Sequence, residues 1–232
     1  MRSFFATFLL ALAVFARSQT ICIDPGHPSE NGVGTRGRHI SEVRAAWLVG
    51  LKLKRVLSED GYTVVLTKSS EMQVVTNKRR AEIANEAHAA LMIRLHCDAG
   101  SRSGFATYYP SEKGEVKGVV GPSDEVIARS RAAARVFHPA VIKALNRAVG
   151  DRGLHTDSAT MIGGRQRGAL TGSIYSQLPV ILVEMAVLQN ESDDKFISTD
   201  AGQKAMAKAI AAGIEAAVPR KIGDRLEVRG GM

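Results

Sequence analysis

Short runs of β-branched and other apolar residues alternate with longer amphipathic stretches along most of this 232-residue chain, and that alternation limits its fold more than any other feature. Thr20 to Ile23 is a strand candidate, and Asp24 to Ile40, rich in Gly, Pro, Ser and Asn, reads as a loop. Ser41 is the expected N-cap of a helix reaching about Glu59, because Val43, Ala46, Trp47, Gly50, Leu53 and Leu57 recur at helical spacing; Gly61 ends it. Tyr62 to Leu66 predicts a second strand. Thr76 is the expected cap of a helix whose apolar positions Ala81, Ile83, Ala84 and Ala87 lead to His88, and Ala90 to Leu95 and Phe105 to Tyr109 read as two further strands. Ser123 opens a long helical segment to about Val149, with a break expected near Pro139, whose ring removes a backbone donor. Asp151 to Gly172 is polar and glycine-rich, Val180 to Val183 is a last buried strand, and Thr199 to Ala217 a closing helix. This order predicts a single α/β domain built on a twisted, mostly parallel sheet with helices on both faces.

A hydrophobic content of 45% with 23% charged residues suits one globular domain with a sizeable core and excludes a disordered or fibrous chain. Residues 1–18 read differently: Arg2 precedes an apolar run from Phe4 to Ala16, and Ala16-Arg17-Ser18 offers small residues for cleavage after Ser18. That is the pattern of a secretory signal peptide, and the run is shorter than the roughly 20 residues of a membrane span. The expected product is an exported protein, periplasmic or secreted, with no membrane span after cleavage, a catalytic domain over 19–218 and a polar tail from 219 to 232. The formal charge of +8 falls to +6 without Arg2 and Arg17, which suits an anionic polymer as partner. Nucleic acid is not expected, because only 5% of residues are aromatic and the positive side chains do not alternate with stacking platforms. Cys22 and Cys97 lie in apolar strand-like runs, where a disulfide and two buried thiols are both open.

Ligands of open α/β sheets gather at the carboxyl ends of strands. His27 follows the first strand, His96 and Glu184 end the third and the last, and Glu42 opens the first helix after the loop that carries His27. Two neutral imidazoles and one carboxylate would give a divalent zinc ion three ligands and leave a fourth position open, the arrangement of catalytic zinc; the second carboxylate would then move protons. Glu30 and His39 lie in the same loop as rival ligands. Arg80 is read as an ion-pair anchor in the sheet in preference to a contact for substrate carboxylates, and Asp24 as the residue that fixes the His27 loop or ring.

Ile-Asp-Pro-Gly-His at 23–27, Ser-Glu-Val-Arg-Ala-Ala-Trp-Leu at 41–48, Arg80 with Ile83-Ala84-Asn85, Leu-His-Cys-Asp at 95–98, and Pro-Val-Ile-Leu-Val-Glu at 179–184 with Asn190 together resemble the successive motifs of the zinc-dependent type 3 N-acetylmuramoyl-L-alanine amidases. The resemblance spans about Ile21 to Ala217. It implies a six-stranded α/β domain, Zn2+ bound by His27, Glu42 and His96, Glu184 as catalytic acid/base, and peptidoglycan as substrate. An activating or recruiting protein and a monomeric state are further expectations. Pro28 replaces a usual glycine and Asp98 a usual asparagine, but neither removes a ligand. Cys97 replaces a small residue beside His96, and as its strand neighbour it points to the opposite face. A zinc peptidase acting on the stem peptide and a non-catalytic wall-binding protein are the competing readings.

Overall fold

The computed structural model describes residues 18–220. Of the expected signal segment it includes only Ser18, and residues 221–232 of the expected tail lie outside it. β1 (Thr20–Pro25) passes through a long loop into α1 (Glu42–Glu59), followed by β2 (Thr63–Leu66), α2 (Asn77–Glu86) and β3 (Leu91–Asp98). Then come β4 (Phe105–Tyr109), a small hairpin of β5 (Gly114–Val116) and β6 (Val119–Gly121), and α3 (Asp124–Leu145). β7 (Asp151–Thr156), the short helices α4 (Met161–Arg165) and α5 (Thr171–Ile174), β8 (Val180–Val187), α6 (Glu191–Ser198) and α7 (Asp200–Ala217) complete the domain.

The main sheet has six strands in the order β2-β1-β3-β8-β4-β7. All neighbours pair in parallel except β4 and β8, which are antiparallel. Side chains alternate between its faces. Ile21, Ile23, Ile93, Leu95, Ile181 and Val183 face one way and form a single core with Leu53 of α1, Phe137 of α3 and Ile210 of α7, all fully buried. Full burial of each such side chain contributes about 1.5–3 kcal/mol, so this layer dominates stability. Close packing of α3 on α7 needs Gly213, since a Cβ there would lie 2.6 Å from the Phe137 ring. On the opposite face Cys22, Met92 and Val180 pack with Ala84 of α2. One step further along the same strands this face turns polar, with Asp24, Arg94, His96 and Glu184.

Several elements differ from expectation. β3 and β8 run on to Asp98 and Val187, so His96 and Glu184 sit inside strands rather than at their ends, directly opposite one another in the parallel register. α3 continues through Pro139 without a break. Pro139 is on the exposed face, as is Arg135 one turn earlier, so the carbonyl deprived of its N–H partner can be hydrated. The sixth strand, β7, comes from the stretch read only as polar and glycine-rich. Cys22 and Cys97 are both free and buried; they belong to opposite faces of the sheet, which excludes a bridge.

Candidate metal centre

Two loops, those after β1 and after β2, are tied down before any functional atom is placed. Asp24, fully buried, accepts from Arg80 (2.6 Å), Arg94 (3.0 Å) and Thr67 (2.5 Å). Arg80 is equally buried and uses its remaining donors on the carbonyls of Val75, Pro25 and Pro28, at 2.9, 2.7 and 2.9 Å. The last two bracket Gly26 and His27, and Lys68 donates to the His27 carbonyl itself. Arg80 is thus an anchor, as its place in the sequence suggested, and it is closed off from solvent. Asp24 fixes the loop but not the ring: the His27 ring is oriented by its Nδ1, which donates to the Gly32 carbonyl at 3.0 Å.

That donation has a chemical consequence. A neutral His27 with its proton on Nδ1 presents a lone pair at Nε2, and Nε2 lies 3.2 Å from Glu42 Oε1. His96 Nδ1 approaches the same oxygen at 2.9 Å. The two imidazoles meet edge to face, centroids 5.0 Å apart, and the ligand atoms of His27, Glu42 and His96 all lie within 4.8 Å of one another. Lone pairs of a ring nitrogen and a carboxylate oxygen repel unless a proton or a cation joins them, so this donor set fits a metal ion. Glu42 is held in place by backbone donors, Thr35 N–H to Oε2 at 2.8 Å and Cys97 N–H to Oε1 at 3.2 Å. Glycines make room: a Cβ on Gly26 would lie 2.6 Å from the His96 ring, and one on Gly34 would meet both Glu42 and His27.

Glu184 faces His96 across the β3–β8 register. Among the described residues Glu184 Oε2 and His96 Nε2 are both buried without a hydrogen-bond partner, which is unusual for polar atoms in a folded protein and marks a place where chemistry or a ligand completes the set. Burial pushes the Glu184 carboxyl well above the usual carboxylate range, helped by the negative charges of Glu42 and Asp98 and opposed by Arg152 and Arg94. Burial also acts to raise Glu42, but when the two histidines are protonated their hydrogen bonds and charges outweigh it and hold that carboxyl well below its ordinary value. His96 is lowered by burial, with Glu42 acting the other way. One carboxyl is thereby kept ionised and the other poised to carry a proton, a separation typical of acid/base sites.

Both rival ligands are occupied elsewhere. Glu30 accepts from the Asn77 N–H at 2.9 Å, at the start of α2, and His39 Nδ1 lies 2.7 Å from Asp194. The Cys97 thiol is driven up by burial in the core on the far face, which removes it as a competing ligand. Sequence reasoning missed the supports supplied by α6. Asp194 accepts from the His39 and Ile40 N–H groups just ahead of Glu42, at 2.9 and 3.3 Å. Asp193 accepts from Gly104 and Val187 N–H groups, each at 2.9 Å, tying the loop after β3 to the end of β8. Two adjacent acids in the first turn of a helix read as dipole complements; only their burial tells otherwise. Arg94, a lone cation within Leu-Met-Ile-Arg-Leu, was the one visible signal of the Asp24 network.

The family model described as N-acetylmuramoyl-L-alanine amidase matches residues 21–216. A sporulation-specific N-acetylmuramoyl-L-alanine amidase of Bacillus subtilis (strain 168) is 26% identical over 200 residues, 85% of this chain and 67% of the relative. Among solved structures, the catalytic domain of CwlV, an N-acetylmuramoyl-L-alanine amidase from Bacillus (Paenibacillus) polymyxa var. colistinus, aligns with a TM-score of 0.67 at 23% identity, covering 85% of this chain and 96% of that one. The CwlD amidase of Clostridioides difficile, solved in complex with the GerS lipoprotein, gives 0.68 at 20% identity over 86% and 98%. These two share the six-stranded α/β fold; the family model spans both histidines, both glutamates and the strands that carry them, and the chain belongs to the N-acetylmuramoyl-L-alanine amidase family.

Proposed function

We propose that this amidase hydrolyses the bond between N-acetylmuramic acid and L-alanine in peptidoglycan with a zinc ion held by His27, Glu42 and His96, and with Glu184 as the acid/base. The convergence of the three donor atoms within 4.8 Å, beside a carboxylate whose buried Oε2 has no hydrogen-bond partner among the described residues, carries the reading. Two imidazoles and one carboxylate are a zinc set with one position left for water or substrate. When bound, the ion supplies Lewis acidity to the scissile carbonyl and to the attacking water. Glu184 takes a proton from that water as its oxygen bonds to the carbonyl carbon. It returns the proton to the alanine nitrogen as the carbon–nitrogen bond breaks, leaving the lactyl carboxylate on the glycan and a free amine on the peptide. Burial raises the affinity of Glu184 for that proton, which suits it to carry the proton from the water to the leaving nitrogen. Gly32, through His27, and Thr35 and Cys97, through Glu42, keep the donor atoms aimed at one point.

The same proposal includes export directed by residues 1–18, a catalytic domain over 19–218 and a polar tail over 219–232. No helix among the described residues is long and apolar enough to cross a membrane. The mature charge of +6 favours the anionic wall. A recruiting or activating protein belongs to the reading as well; the CwlD amidase, solved in complex with the GerS lipoprotein, is a parallel.

Incubating residues 19–232 with peptidoglycan, with zinc and after chelation, and identifying products by mass spectrometry tests the reading. Zinc-dependent release of stem peptides with a free L-alanine amine is the expected result. Cleavage within the peptide would make the chain a peptidase, and a metal-loaded protein that releases nothing would point to a binding protein.

A further inference from the structure

We propose that the cleft beyond Glu184, between the loop at residues 99–102 and the β4–β7 edge of the sheet, binds a carboxylate of the departing stem peptide, with Arg152 and Arg102 as its counter-charges. The proposal rests on the amidase reading, because it uses the position of Glu184 relative to the leaving amine.

The cleft encloses about 410 Å³ and is lined by Ser101, Arg102, Tyr108, Arg152 and His155, among others. Strand order gives it a direction. His27 follows β1 and His96 lies on β3, so the metal ligands stand on that side; Glu184 is on the next strand, β8, and β4 and β7 follow outward. Ala106 of β4 is the register partner of Glu184, and Tyr108, two residues on, shares its face. His155 of β7 pairs with Tyr108, and their rings lie 5.2 Å apart. Glu184, Tyr108 and His155 therefore form one continuous surface leading away from the metal centre. The acyl half of the substrate is polarised at the metal side, and the amine half receives its proton from Glu184. The amine half thus points outward along this surface, into the cleft.

Its charge suits that half. Arg152 NH2 donates to Asp98 at 2.6 Å, but its buried NH1 has no acceptor among the described residues. Arg102 is exposed and makes no ion pair among the described residues. Two guanidinium groups against the single Asp98 carboxylate leave one positive charge in excess at the cleft. The leaving half is a peptide, whose anionic groups are carboxylates, and the planar guanidinium fork matches that group.

The test is calorimetry on the zinc-loaded protein with two synthetic stem peptides that begin at L-alanine, one with free carboxylates and one with every carboxylate converted to carboxamide. Wild type is expected to bind the carboxylate form about tenfold more tightly, as a charge-assisted hydrogen bond provides. R152Q and R102Q should each reduce that preference while leaving carboxamide binding unchanged. Arg102 is exposed, so R102Q decides the matter even if losing the partner of Asp98 disturbs the fold. Equal binding of the two peptides, no binding of either, or an undiminished preference in R102Q and R152Q would overturn the subsite. Peptidoglycan turnover by wild type is scored separately: turnover without carboxylate preference sinks only the subsite, and preference without turnover sinks only the amidase reading.

Discussion

Replacing Arg80 with methionine separates what the buried network does for the fold from what it does for the site. Arg80 is 1% exposed, and its guanidinium makes four hydrogen bonds of 2.6–2.9 Å, to Asp24 and to the carbonyls of Val75, Pro25 and Pro28. Removing one partner of a buried ion pair costs about 3–5 kcal/mol, because the other charge stays buried. Here Arg94 remains on Asp24 and limits the loss to the lower part of that range. With roughly 2–4 °C per kcal/mol in a domain of this size, Tm should fall by about 6–12 °C. Arg80→Lys keeps the charge but not the fork that reaches four acceptors, and it should recover only part of the loss. Pro25 and Pro28 flank His27, so untying them should also weaken zinc binding by about 10–100-fold, as loss of outer supports does at other metal sites. Urea unfolding of apo and loaded protein gives the first quantity, and zinc titration against a competing chelator gives the second. A loss below about 1 kcal/mol would refute the energetic argument. A destabilised variant with wild-type zinc affinity would refute the link between the network and the metal centre.

Four other outcomes follow from the same geometry. Glu184→Gln should lower turnover by about 10²–10⁴-fold with zinc content unchanged, whereas His96→Ala should lose both, as metal analysis beside a peptidoglycan assay will show. Chelation should lower Tm: a ligand at about 100 times its Kd contributes roughly 2.7 kcal/mol, and a Tm unaffected by chelation would argue against the site. Asp194→Ala leaves the His39 and Ile40 N–H groups without their acceptor and should cost about 1–3 kcal/mol, with weaker zinc binding because the segment entering Glu42 loosens. Burial holds the His138 imidazole below its ordinary pKa, with the nearby Asp151 acting in the opposite sense. The unfolded chain, with His near 6.5, then binds more protons than the folded one. That contribution is complete above about pH 6.5 and is lost as pH falls through the lowered folded value, so the urea midpoint should drop from pH 7 to pH 5 and do so less steeply in His138→Gln.

Much of this protein follows from local sequence. Short apolar, β-branched runs located five strands of the main sheet and the 3.6 period located the long helices, since a strand buried on both faces reads as a continuous apolar run and a half-buried helix as a stripe. Thr76 caps α2 through the Arg79 N–H, and Gly61 adopts the positive φ that ends the turn after α1, as their residue types imply. His96 and Glu184 stood out as polar residues at the ends of apolar runs and His27 as one just past the first, whereas Glu42 stood out only as the opening of α1 and through the motif resemblance. β7 did not stand out: Asp-Arg-Gly-Leu-His-Thr has no apolar alternation, and it is a strand because β4 offers it an edge. Nor does local pattern reveal that β3 and β8 continue to Asp98 and Val187, which depends on their pairing with each other. That Glu42, rather than Glu30 or His39, meets His27 and His96 was likewise decided by tertiary structure. Glu30 is committed to α2 and His39 to Asp194, residues 47 and 155 positions away, and no spacing in the chain encodes such distant contacts. Residue types determined which chemistry is available here; long-range packing decided which of those residues meet.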